Sequence, residues 1–245
     1  MSLSVTESGS GPPLLLVHAG GVDRRMWGPL TERLADTFTV IAPDLRGHGR
    51  TPAAAGLFRH ADDLLAVLDE RGIERAAVVA AAFGGGIALG LAARAPGRVT
   101  SLALLAGPLF DHPMGDAIEA FWEQEETRLG HADIEGAVEL GIEFWVREPA
   151  VADLVRSMTR DAFLAQLPGA GEAGDEPAPL AEVRCPVLAV SGGRDQPVFA
   201  EMADRICAEA PDARRAEVPD AGHLIALERP EETAALLLGF LAENR

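Results

Sequence analysis

The stretch Ala80-Ala81-Ala82-Phe83-Gly84-Gly85-Gly86 has small residues at nearly every position where a strand bending sharply into a helix would crowd its backbone. This is the setting of a nucleophile elbow, G-x-S-x-G, in which a strained turn lifts the central side chain above a sheet and the next N–H helps bind an oxyanion. Ala80 stands in place of the first glycine, a mild change, but Ala82 occupies the serine position. A methyl group can neither attack a carbonyl nor hand over a proton. Two further groups follow in the chain order elbow, acid, base: Asp195 in Ser191-Gly192-Gly193-Arg194-Asp195, and His223 in Pro219-Asp220-Ala221-Gly222-His223. An imidazole oriented by a carboxylate is a general base near neutral pH, and its cation is stabilised by that carboxylate.

The elements that must hold these residues are legible as short apolar runs. Leu14-Leu15-Leu16-Val17, Phe38-Thr39-Val40-Ile41, Ala76-Ala77-Val78-Val79, Leu102-Ala103-Leu104-Leu105 and Val187-Leu188-Ala189-Val190 suit strands covered on both faces. Helical patterns over 27–36, 60–71, 83–95, 200–210 and 231–241 lie between or after them, and the alternation predicts a parallel α/β sheet. It stops between residues 110 and 180. There Ile118, Phe121, Trp122 and Leu129 mark one helix face, Ile134, Ala137, Val138, Gly141, Ile142 and Trp145 a second, and Val151, Leu154, Val155 and Met158 a third. Residues 167–179, rich in Gly, Ala, Pro and acids, read as a linker back to the sheet.

Two more motifs complete a pattern. His18-Ala19-Gly20-Gly21, after the first apolar run, resembles a His-Gly loop that supplies an oxyanion N–H, and Pro43-Asp44-Leu45-Arg46-Gly47-His48-Gly49-Arg50 resembles a D-x-R-G-x-G loop. With the elbow, the acid and the base, five motifs in order over nearly the whole chain resemble the α/β-hydrolase superfamily. Its cofactor-free esterase, enol-lactonase and peroxidase-like members are nearest in layout. The resemblance implies an α/β-hydrolase fold: a mostly parallel sheet flanked by helices, its core formed by 1–110 and 180–245, with a helical cap and linker at 111–179. It implies a Ser-His-Asp site on Ala82, Asp195 and His223, hydrolysing a small or medium hydrophobic ester or lactone without metal or organic cofactor. The N–H groups of Gly20 and Phe83 would form the oxyanion hole, Ala19 or Gly21 being alternatives to Gly20, since Ala19 departs from the usual His-Gly.

The remaining candidates have plainer readings. His18 and His48 are expected to brace loop backbone, and Asp44 and Arg46 to tie loops together. His60, His112 and His131 lack metal-ligand spacing. Phe121, Trp122, Phe144, Trp145 and Met158 are read as mostly core, with Trp122 and Trp145 assigned beside Gly20 and Phe83 to the substrate pocket; Glu119, Glu123, Glu126, Glu139 and Glu143 form a solvated face. A formal charge of −17 repels phosphate backbones and anionic lipid surfaces, so nucleic acid and membrane are not expected partners. Cys185 and Cys207 are too few for a disulfide framework or metal cluster. Without a leader-like or membrane-length apolar segment, the chain is expected to be soluble and cytoplasmic; whether it is monomeric or oligomeric stays open.

Ala82 leaves three readings. The chain is an inactivated form of a serine hydrolase, or a naturally serine-free enzyme using His223 and Asp195 for proton abstraction, cyclisation, decarboxylation, elimination or isomerisation, or a non-catalytic small-molecule binding protein. Retention of the acid and base favours the first two.

Overall fold

The apolar runs assemble into one sheet in a computed structural model that describes residues 2–167 and 171–244. Its strands are β1 (Val5–Ser8), β2 (Pro13–Val17), β3 (Thr39–Pro43), β4 (Ala76–Ala81), β5 (Val99–Leu105), β6 (Val187–Gly192) and β7 (Ala213–Val218). They lie in the order β1-β3-β2-β4-β5-β6-β7, β1 antiparallel to β3 and every other pair parallel. Parallel pairing demands crossovers, and α1 (Gly28–Leu34), α2 (His60–Asp69), α3 (Phe83–Arg94) and α7 (Pro197–Glu209) provide them, with α9 (Pro230–Glu243) closing the chain. Alternate strand residues enter opposite layers. Leu14 and Leu16 pack with Leu30, Leu34, Leu237 and Phe240 on the α1–α9 face, whereas Leu15 and Val17 join Leu64, Leu91 and Ile206 on the α2–α3–α7 face. The sheet is therefore covered on both sides, as continuous apolar strands require.

Between β5 and β6 the chain leaves the sheet for α4 (Asp116–Gly130), α5 (Ile134–Trp145) and α6 (Ala152–Gln166), and α8 (Ile225–Glu228) follows β7. Three sequence expectations change. The edge strands β1 and β7 were not anticipated, because half-covered edges of sequence Val-Thr-Glu-Ser and Ala-Arg-Arg-Ala-Glu-Val present no apolar run. The third helix continues to Gln166, well past its expected apolar marks. Trp122 does not belong to the buried face of α4: it is 44% exposed while Ile118 and Phe121 are buried.

Of the expected linker, residues 168–170 lie outside the described residues. The segment after them is pinned rather than free. Gly171 N–H donates to Ala54 O (2.7 Å), Phe58 N–H to Glu172 O (3.0 Å) and Gly174 N–H to Phe58 O (2.8 Å), and Asp175 Oδ2 lies 2.7 Å from His60 Nδ1. No described helix is long and apolar enough to cross a membrane.

The turn between β4 and α3 governs how the sheet carries its helices. All six residues of β4 are buried at the centre of the sheet, and Ala82 leaves it at φ 42°, ψ −125°, a conformation that costs an L residue about 1–3 kcal/mol. The chain then dives into α3 so close to β2 that a Cβ on Gly84 would lie 2.4 Å from His18 O and 2.7 Å from Val17 O. Because both obstacles are backbone, Gly84→Ala is expected to cost about 2 kcal/mol or more in urea unfolding. Ala82→Gly is expected to hold or raise stability, as released strain offsets the lost methyl, whereas Ala88→Gly within α3 loses about 1 kcal/mol. An equal loss at positions 82 and 88 would contradict a strained elbow.

Candidate active site

Four candidate groups sit beyond the C-terminal ends of parallel strands, where open α/β sheets hold their ligands: His18 after β2, Ala82 after β4, Asp195 after β6 and His223 after β7. The Ala82 N–H donates to Leu105 O (2.8 Å) and its carbonyl accepts from Gly85 N–H (2.6 Å), tying both ends of the turn. Its methyl group faces a cavity of about 730 Å³ whose wall also includes Gly20, Phe83, Trp122, Trp145 and His223. The structure thus brings together all the residues singled out for the pocket, with Asp195 behind His223.

Asp195 and His223 are set by two interlocked loops. Gly193 N–H donates to Val218 O (3.0 Å) and Arg194 N–H to Ala221 O (2.9 Å). Glycine is required where they touch, since a Cβ on Gly192 would meet Gly222 O at 2.3 Å and one on Gly193 would meet Pro219 O at 2.5 Å. Asp195 Oδ2 lies 2.9 Å from His223 Nδ1, and Oδ1 accepts the Gln196 N–H at 2.7 Å. With the carboxylate accepting at Nδ1, the neutral ring leaves Nε2 as its basic nitrogen. Trp145 at the end of α5 and Phe199 on α7 both centre 4.4 Å from the imidazole, so the two rings packed against it restrict its rotation.

Glu228, missed in the sequence reading, locks this arrangement to the helical insertion. Buried on α8, it accepts Gly222 N–H at Oε2 (2.6 Å) and Arg147 N–H, just beyond α5, at Oε1 (2.9 Å). A single glutamate after an apolar stretch carries no sequence signal for such a role.

The loop after β2 has the same economy. His18 is fully buried; Leu45 N–H donates to its Nε2 (2.8 Å), so the ring is the Nδ1–H tautomer, donating to Ala19 O (2.7 Å). Burial, reinforced by the neighbouring His48, pushes its pKa down to about 3. The Ala19 N–H points to Met26 Sδ (3.4 Å), whereas Gly20 packs on Phe83, a Cβ built there lying 3.3 Å from Phe83 Cβ. Phe83 is the first residue of α3, so its N–H has no acceptor within the helix. Two N–H-bearing residues consequently flank the space above Ala82.

The other candidates resolve into supports. Asp44 accepts Arg24 N–H (3.0 Å), Arg24 Nη1 (2.5 Å) and Arg50 N–H (2.8 Å), and Arg46 pairs through two 2.6 Å hydrogen bonds with Asp63. His48 and His112 reach the cavity wall, and His60 engages Asp175. Phe121, Trp122 and Trp145 also line it; Glu119, Glu123, Glu126, Glu139 and Glu143 are exposed, Glu139 pairing with Arg156. Glu125, absent from the sequence candidates, turns inward to the same wall. Among the described residues no cluster of three His, Cys, Asp or Glu could hold a metal ion.

Comparison with known proteins gives a consistent result. The family described as the alpha/beta hydrolase family matches residues 14–236. The chain is 34% identical, over 94% of its length, to the dihydrolipoyllysine-residue acetyltransferase component of the acetoin cleaving system of Cupriavidus necator, and spans 64% of that protein. It is 30% identical, end to end on both chains, to a pimeloyl-(acyl-carrier protein) methyl ester esterase of Methylococcus capsulatus. Among solved structures, a thermophilic esterase from Thermogutta terrifontis matches with a TM-score of 0.82 and 26% identity, over 98% of this chain and 93% of that one.

The buried neutral His18 makes folding sensitive to acid. The folded ring stays unprotonated down to about pH 3, while the unfolded one takes a proton near its ordinary value of 6.5, so protons favour unfolding between these limits. Urea unfolding of the chain is expected to lose stability more steeply than that of His18→Gln as pH falls through this window, by up to about 1.4 kcal/mol per pH unit. Parallel pH profiles would contradict a neutral clamp at position 18.

Proposed function

Because the chain belongs to the alpha/beta hydrolase family, we propose that its cavity is the active site of a carboxylic ester or lactone hydrolase lacking one atom, the hydroxyl oxygen of a serine at position 82. The observation that carries this reading is the backbone of Ala82: it holds the strained turn that a nucleophile needs, although a methyl group gains nothing from it. Around it stand the His223–Asp195 pair at 2.9 Å and the Gly20–Phe83 contact.

With a hydroxyl at position 82, the oxygen attacks the substrate carbonyl while His223 Nε2 takes its proton. Asp195 fixes the tautomer and stabilises the imidazolium. The N–H groups of Gly20 and Phe83 receive the oxyanion, and His223 returns the proton to the departing alkoxide. A water deprotonated by the same nitrogen then attacks the acyl carbonyl and frees the acid. Side chains, two backbone N–H groups and water carry every step. Trp122 and Trp145 offer apolar surface to a small or medium hydrophobic substrate. As written, the chain binds such a molecule without turning it over. Two unpaired thiols, Cys185 and Cys207, suit a reducing compartment, and we place the protein in the cytoplasm.

The intact dyad favours one second reading, a serine-free enzyme in which His223 abstracts a proton from carbon or oxygen and returns it elsewhere on the ligand. The two readings part on one substitution. Ala82→Ser is expected to raise kcat/KM on p-nitrophenyl acyl esters by about 10⁴ or more, and His223→Ala in that background to remove most of the gain. A folded Ala82→Ser protein as inert as the chain itself would overturn the hydrolase reading. Ligand conversion that needs His223 but not the hydroxyl would establish the second, and binding with no conversion would leave a binding protein.

A further inference from the structure

Glu125 lies on α4 in the wall of the cavity shared by Ala82 and His223, and among the described residues it is the only aspartate or glutamate there. Among the described residues no arginine lines the cavity with it, and the surrounding wall is largely apolar: Phe110, Phe121, Trp122, Phe163 and Leu109. Among the described residues its carboxyl has neither hydrogen-bond nor ion-pair partner. The neighbouring acids differ: Glu123 and Glu126 are exposed, and on α5 Glu135 and Glu139 pair with Arg160 and Arg156. An ionised carboxyl partly withdrawn from water without a partner is unfavourable, and a ligand that brings the partner recovers the difference.

We propose that Glu125 forms a subsite for a primary ammonium group at the end of the ligand remote from its reacting carbonyl, so that the cavity takes amine-bearing esters in preference to carboxylate-bearing ones. An ammonium satisfies the carboxylate with a charge-assisted hydrogen bond in a site of low polarity, where such bonds are strongest. A ligand carboxylate meets like charge instead, and the formal charge of −17 over the whole chain repels it on approach. Burial, with no neighbouring charge acting, lifts the Glu125 pKa to about 7, so the carboxyl is fully ionised only at mildly alkaline pH unless a cation joins it. The other titratable groups in the wall are His48, His112 and His223, and Arg128, nearly one turn along α4, is held by Asp133.

The inference rests on the cavity being the acyl-substrate site proposed above, yet it is tested by binding alone, because the Ala82 chain leaves esters intact. Calorimetry at mildly alkaline pH compares methyl ω-aminoalkanoates of increasing chain length with methyl alkanoates and dicarboxylic half-esters of matching length. At one chain length the amino ester is expected to bind about tenfold or more tighter than the methyl-ended ester, and the half-ester weakest. Glu125→Gln should remove most of that preference and Glu125→Leu reverse it, with the methyl-ended ester bound as before or better. Equal binding of amino and methyl-ended esters at every length, which needs no variant, would overturn the subsite, as would a preference that survives in Glu125→Gln. Failure of Ala82→Ser to hydrolyse plain alkyl esters would instead count against the hydrolase reading.

Discussion

The close approach of α3 to the end of β2 leaves the chain one way to leave the central strand. The backbone must turn within a single residue, at positive φ, and then run past the His18 and Val17 carbonyls with nothing larger than hydrogen on Gly84. Gly85 meets Gly107 across the next strand in the same manner, a Cβ there lying 2.7 Å from its Cα. These contacts fix the start of α3, hence the Phe83 N–H, against the Gly20 loop, whose shape depends on a neutral His18 held between Leu45 N–H and its own neighbour's carbonyl. The turn at Ala82 is thus both a strained point of the fold and the reference from which the site is built.

The Asp195–His223 half of the candidate site is assembled separately and joined to that reference by the sheet. The loops after β6 and β7 touch through Gly192, Gly193 and Gly222, which leaves Asp195 and His223 no freedom to separate without opening the backbone contact. Glu228 extends the lock to the insertion by accepting from both Gly222 and Arg147. Trp145 arrives over His223 from that same insertion. The helices above the sheet therefore help to orient the imidazole, and mobility of α5 would be felt at His223 as well as in the cavity wall.

Much of this was legible from residue order alone. Doubly covered strands announce themselves as apolar runs, and small residues between β4 and α3 mark a turn whose crowding excludes side chains. The chain order of Ala82, Asp195 and His223 placed the three at strand ends that parallel topology brings to one edge. What escaped has a common physical cause: its meaning lies in partners distant in sequence. β7, with two arginines in six residues, is a strand only because β6 offers it a hydrogen-bonding edge. Glu125 and Glu126 are identical letters one residue apart, and the 100° between them on a helix sends one to the cavity and the other to solvent. The bond from Glu228 to Arg147 joins residues 81 apart.

If the proposed site lacks only one oxygen atom, covalent chemistry reveals it more directly than any rate. A fluorophosphonate reacts with an activated serine through the same in-place base and oxyanion donors that acyl transfer uses. Intact-mass analysis of Ala82→Ser after brief exposure should show one stoichiometric adduct mapped to position 82, none on the chain as it stands, and slow labelling when His223→Ala is added. An Ala82→Ser protein that stays folded and unlabelled, or labels equally fast without His223, would contradict the account.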